Sequence, residues 1–262
     1  MDEKYKRLAK SLVKVLTPMK PFLVFIFSLE SWIARHWAAS AHKRLFLATW
    51  GIPNYPSYFD HHFDLYYYWL KSRSPHWIER GVFNSLALKR GGKMLEIACG
   101  DGFNTRNFYS IFVKFVIACD LDEKAIKIAC RKNNAPNIEY KIVDVRTSLP
   151  DGDFDNVVCD MALNHFTNQE VNELFLSIKQ RLSKNGGIFS GSTFSFNSGN
   201  MIGTPTKNDY ELRNLADLKL LLESYFGNVI VFETNYPTLH NLYFWASDSE
   251  IPFSDEWRHS LV

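Results

Sequence analysis

The chain has 262 residues, 46% of them hydrophobic and 22% charged, with a formal net charge of only +2. This is a globular composition, and the length excludes two full-sized domains in favour of one large domain with an appendage. The near-neutral total hides an asymmetry: residues 1–50 carry nine Lys or Arg against three acids and the remainder 21 against 25, so the first part is +6 and the rest −4.

At the start, Leu8, Leu12, Val15, Leu16 and Met19 recur at helical spacing, with Lys4, Arg7, Lys10 and Lys14 on the other faces, until Pro18 and Pro21 break the pattern. Such a basic amphipathic helix either packs on its own domain or a twin subunit, or lies on an anionic membrane face. Phe22 to Leu29 then runs apolar until Glu30 interrupts it. The run is too short to span a bilayer, which takes about 20 residues, and the charges after it do not suit a signal peptide. Trp32, Ile33, Trp37, Phe46 and Trp50 keep the stretch aromatic, as either a buried cap helix or an interfacial one would be. Two readings stay open for residues 1–50, packing within the protein or a peripheral membrane contact, and the expected localisation is cytoplasmic in either case.

Asn54 to Trp77 is the densest aromatic stretch. A helix is predicted from Tyr58 to Leu70, on which Tyr58, His62 and Tyr66 share a face at i, i+4 and i+8. Asp60, His61 and Asp64 lie on differing faces and do not converge, so no metal site is expected. A further helix is predicted over Trp77 to Leu88. Residues 1–88 therefore read as a helical, aromatic-rich N-terminal cap, and residues 89–262 as a second domain.

That second domain is organised around Met94 to Gly102, MLEIACGDG, a short apolar strand running into a glycine turn. A helix from Thr105 to Phe115 and a second buried strand, Val116 to Asp120, follow. Strand, glycine turn, helix and a strand ending in an acid form the opening half of a doubly wound nucleotide fold. The dinucleotide fingerprint G-x-G-x-x-G fails at its third glycine, where Thr105 stands. Beyond this, a helix is predicted over Glu123 to Arg131, a strand over Ile138 to Val143, a strand over Phe154 to Asp160, a helix over Gln169 to Ser183 and a helix over Leu215 to Tyr225. Gly186-Gly187 turns the chain into a strand at Ile188, and Val229 to Thr234 and Leu242 to Ser247 form an antiparallel hairpin at the sheet edge. Ser190 to Thr206 is a polar, glycine-rich loop. Alternation of this kind requires a mostly parallel sheet covered on both sides. The four cysteines, Cys99, Cys119, Cys130 and Cys159, have no metal or disulfide spacing and read as buried free thiols.

The pattern Glu96-x-Ala98-x-Gly100-x-Gly102, followed at family spacing by Asp120, Asp144, Asp160 and Gly186-Gly187, resembles the class I S-adenosylmethionine-dependent methyltransferases, most of all the small-molecule group that includes the ubiquinone and menaquinone biosynthesis enzymes. Alanine stands at 98 where that family more often has its first glycine. The resemblance implies a three-layer α/β/α Rossmann-like fold with a seven-stranded sheet, and S-adenosyl-L-methionine as cofactor. It further implies that Glu96, Ala98, Gly100, Asp101 and Gly102 lie along the methionine part and ribose, that Asp120 takes the ribose hydroxyls, and that Leu121 lies on the adenine. Asp144 with Val145 would sit at the adenine amino group, and Asp160 at the methionine ammonium or the acceptor. Segments before the first motif commonly form a wall of the acceptor pocket in this family, which points to Tyr58, His62 and Tyr66; a plain core or surface stripe is the other reading of these three.

For the transfer itself, His165, just after the fourth strand, is the candidate general base, with Asp160 as a second catalytic candidate. Asn164, Tyr210 and His240 are further polar residues in segments that could reach the cleft. No N-P-P-[FY] follows the fourth strand, where Asp160-Met161-Ala162-Leu163 stands, and the sheet half is acidic, so no nucleic-acid partner is expected. The acceptor is read as a small or lipid-linked molecule, and the alternative to an enzyme is a non-catalytic S-adenosylmethionine-binding partner or regulatory protein.

Overall fold

The computed structural model describes residues 18–50, 76–195, 212–236 and 239–251. The chain divides into two compact units, Met1–Tyr55 and Pro56–Val262. The helix expected over 4–19 lies mostly, and that over 58–70 wholly, outside the described residues, as does the expected loop beyond Ser195; its first residues, 190–194, instead continue the strand that begins at Ile188, where alternate small and apolar side chains fit the sheet.

In the first unit, α1 runs unbroken over Lys20–Trp50. Pro21 sits in its first turn, where a backbone N–H has no helical partner to lose. Glu30 ends the apolar run without ending the helix, because one charge on an exposed helix face leaves the backbone ladder intact. Its apolar side chains, Phe22, Phe25, Trp32 and Trp37 among them, are exposed.

The second unit holds α2 (His76–Leu86), β1 (Lys93–Ile97), β2 (Phe115–Asp120), α3 (Glu123–Lys132), β3 (Ile138–Ile142), β4 (Asn156–Asp160), α4 (Asn168–Arg181), β5 (Ile188–Phe194), α5 (Leu215–Glu223), β6 (Asn228–Tyr236) and β7 (Leu239–Ser247). The strands form one sheet in the order β3-β2-β1-β4-β5-β7-β6. The first five pair in parallel, while β7 inserts antiparallel between β5 and β6.

Residue parity builds the three layers. On the continuous apolar strands, Leu95, Ile97, Ile117, Cys119, Val157 and Cys159 point to one face, where they meet Phe175 and Ile178 of α4 and Leu218 and Leu222 of α5. Met94, Val116, Ala118 and Val158 point to the other, where they meet Ile126 of α3 and Tyr109 and Val113. Asp122 caps α3 by accepting from the Lys124 N–H, and Thr167 with Glu170 makes a capping box on α4.

The long helix expected over 105–115 is not formed. A single π-helical turn occupies Thr105–Tyr109, with the Ser110 N–H donating to the Thr105 carbonyl at 2.8 Å. The next residues then turn because Asn137 Nδ2 donates to the carbonyls of Ser110 and Val113, at 2.8 and 3.1 Å. Of the cysteines, Cys99, Cys119 and Cys159 are buried free thiols, whereas Cys130, on α3, is exposed.

Candidate active site

β1 lies between β2 and β4, so the chain leaves its carboxyl end to one side while the later half of the sheet begins on the other. Such a switch point opens a crevice at the strands' carboxyl ends. A cavity of about 610 Å³ occupies it, a size that suits a small organic ligand.

The expected cofactor residues converge there. β1 and its turn deliver Glu96, Ala98, Gly100 and Asp101; β2 delivers Asp120 and Leu121; the end of β3 delivers Asp144 and Val145; β4 delivers Asp160, and the loop after it His165. Gly102 does not line the cavity. It adopts φ +74°, and a Cβ there would stand 2.4 Å from the Tyr140 hydroxyl, so this glycine serves the packing of the turn. Ala98 also lies in the left-handed region, at φ +57°. Alanine at this motif position therefore costs about 1–2 kcal/mol of backbone strain.

Glu96 is buried to 2% exposure and its Oε2 has no hydrogen-bond partner. Burial pushes its carboxyl up to about 8; the Thr105 hydroxyl opposes this, and the nearby Asp160, Asp120 and Asp101 add to it. An orphaned carboxylate oxygen in the wall of a cavity is an acceptor awaiting a donor, and an ammonium group would satisfy both the oxygen and the surplus of negative charge. The α-ammonium of S-adenosylmethionine therefore fits this wall.

Asp120 is held by two N–H donors, Gly100 to Oδ2 and Asp122 to Oδ1, each at 2.9 Å. Burial raises its pKa and these bonds pull it back. Each oxygen keeps a lone pair for a further donor, which suits a ribose diol. Leu121 beside it is 61% exposed, an apolar surface at the cleft mouth suited to a flat base. Asp144 is less free: Arg146 Nε and Nη2 fork onto its two oxygens at 2.8 and 2.7 Å, and this pairing lowers its pKa.

Asp160 is engaged on every side. Ser192 Oγ donates to Oδ1 and Asn104 Nδ2 donates to Oδ2 at 3.0 Å, while Arg80 Nε stands 3.5 Å from Oδ2. Arg80, Asn104 and Ser192 are not foreseen from sequence, though Arg80 and Asn104 line the cavity. Arg80 carries a faint signal, since an adjacent Glu79-Arg80 pair within an otherwise apolar helical pattern would have to find buried partners. Glu79 finds them in the hairpin: Thr234, Asn241, Tyr236 and Tyr243 all donate to its carboxylate.

His165 is the last residue of a short 3₁₀ turn, Leu163–His165, and is exposed at the cavity wall. Asn164 has a buried Oδ1 without a partner. His240 does not line the cavity and instead pairs with Glu233 at 2.9 Å on the hairpin. Tyr58, His62, Tyr66 and Tyr210 lie outside the described residues. No cluster of three metal-ligating side chains occurs among the described residues.

Residues 94–186 match the family model of a methyltransferase domain. Among solved structures, the N-methyltransferase NodS from Bradyrhizobium japonicum WM9, in complex with S-adenosyl-L-homocysteine, is 18% identical, with 70% of this chain and 92% of that one covered and a TM-score of 0.55. DhpI in complex with SAH is 20% identical, over 72% and 96% of the two chains, with a TM-score of 0.51. An S-adenosylmethionine-dependent methyltransferase structure from Listeria monocytogenes is 15% identical, over 66% and 99%, with a TM-score of 0.52. A search of curated proteins finds no match.

Proposed function

We infer that the chain is a class I S-adenosylmethionine-dependent methyltransferase, as the methyltransferase domain over residues 94–186 and the seven-stranded sheet support, and that it transfers the methyl group in line to a small or lipid-linked acceptor. The observation that carries the reading is the buried Glu96 carboxylate, its Oε2 without a partner, in the same cavity wall as Asp120. The binding of S-adenosylhomocysteine by NodS and DhpI supports the same cofactor here.

When bound, S-adenosylmethionine supplies a methyl group already activated by its positive sulfonium. Glu96 accepts from the ammonium, Asp120 from the ribose hydroxyls, and Leu121 lies along the adenine. Asp144 reaches the adenine amino group with the lone pairs that Arg146 leaves open. The remaining work of the protein is positioning, which can account for roughly 7–11 kcal/mol of a barrier. Asp160 serves as a positioning residue, since its oxygens already hold Arg80, Asn104 and Ser192. His165 takes the proton of a hydroxyl acceptor. Tyr58, His62 and Tyr66 form one wall of the acceptor site, a role resting on the family resemblance and on their spacing. A lipid-linked acceptor suits a protein that docks on a membrane, and the exposed apolar helix α1 supports that variant.

An acceptor screen that measures S-adenosylhomocysteine formation from phenols, amines and isoprenoid quinols tests the reading. Turnover with one class, reduced about 10²–10⁴-fold in His165→Ala while S-adenosylhomocysteine affinity is kept, is the expected result. Cofactor binding with no turnover on any class would overturn it in favour of a binding protein.

A further inference from the structure

α1 presents a large apolar surface. Phe22, Ile26, Leu29 and Ile33 repeat at intervals of four, three and four residues and so share one side of the helix, and Trp32 and Trp37 widen that side. All six are between 38% and 70% exposed. Val24, Phe25 and Phe27, 55–64% exposed, carry the apolar surface round the helix's other sides, and an exposed apolar surface this large marks a docking site.

Its composition selects the partner. α1 contains four Lys or Arg and a single acid, Glu30, and residues 1–50 together carry +6. A second copy of the chain would need the seam to continue, but the next positions of the four-three repeat are His36, Ser40 and Lys43, so it ends after less than two heptads, and two +6 segments would repel. A transbilayer course is excluded for α1, because no helix among the described residues is long and apolar enough to cross a membrane. Exposed aromatics, an excess of cations over acids and too little hydrophobicity to span suit a helix lying against the headgroup region. We propose that α1 docks the protein on an anionic lipid surface, with the Phe22–Ile33 stripe and its two tryptophans in the acyl boundary and the basic residues against the lipid phosphates.

This does not rest on methyl transfer, and the two are read out separately. The full chain is sedimented with vesicles of phosphatidylcholine alone or mixed with phosphatidylglycerol, and S-adenosylhomocysteine binding is measured on the same samples. The expected result is binding to the mixed vesicles that falls about tenfold or more in their neutral counterparts or at high salt. The doubly substituted chain Trp32→Ser, Ile33→Ser loses that binding and keeps its S-adenosylhomocysteine affinity. Equal recovery in the supernatant with both vesicle types would overturn the proposal, as would unchanged vesicle binding by the substituted chain. A wild-type dimer in analytical ultracentrifugation that becomes monomeric on these substitutions would also overturn it, by showing that a second copy covers the stripe.

Discussion

Arg80 of α2 and Asp160 at the carboxyl end of β4 face each other at 3.5 Å, Nε to Oδ2, with side chains only 7% and 8% exposed. The neighbouring Glu79 turns to the β6–β7 hairpin, where four donors surround it. Two adjacent charges thus pin α2 to the centre and to the edge of the sheet, and one of them becomes part of the cleft wall.

A buried pair loses more when one partner is removed than the pair is worth. Arg80→Ala is expected to destabilise the fold by about 3–5 kcal/mol, because Asp160 is left charged and buried. Adding Asp160→Ala should cost less than the sum of the two single changes. Urea unfolding of the four proteins measures this, and strict additivity would contradict the coupling.

Gly191 in β5 pairs with Cys159 in β4, and a Cβ at 191 would lie 2.1 Å from the Cys159 carbonyl oxygen and 2.6 Å from the Phe244 ring. Neither the sheet backbone nor the packed ring can yield cheaply. Gly191→Ala should therefore lose about 3 kcal/mol, seen as a lower urea midpoint.

Glu96 gives the ligand-free protein a pH dependence. Its carboxyl is held at about 8 in the fold against an ordinary 4.5, so the folded state keeps a proton that the unfolded state releases. The stability this lends is complete below about 4.5 and is lost as the pH rises toward 8, by up to about 1.4 kcal/mol per pH unit. Glu96→Gln should flatten the slope in urea titrations across that window. S-adenosylhomocysteine, whose ammonium pairs with the ionised form, should raise the melting temperature of the wild type more near pH 8 than near pH 6.

The parallel core was legible because its strands are short apolar runs bounded by Gly-rich turns, and Glu96, Asp120 and Asp160 were legible because each falls at or near the carboxyl end of such a run. The Glu79–Arg80 anchor was not, since its partners lie 80 to 164 residues away in the chain and no local periodicity encodes them. The helix expected after Gly102 failed for a similar reason: Asn137, distant in sequence, supplies the bonds that turn the backbone. The strain at Ala98 could not be read either, because it lies in a backbone angle and not in the size of a side chain. The hairpin was visible as two strands, but not the insertion of β7 between β5 and β6.

The central claim, that the Glu96 and Asp120 wall holds S-adenosylmethionine, is tested most directly by calorimetric titration of S-adenosylhomocysteine into the wild type and into Asp120→Ala, with NADH as a control ligand. The account predicts micromolar binding by the wild type, a loss of about tenfold or more in the variant, since hydrogen bonds to a charged group contribute roughly 1.5–3 kcal/mol, and no heat from NADH. Clear NADH binding with none by S-adenosylhomocysteine would contradict it.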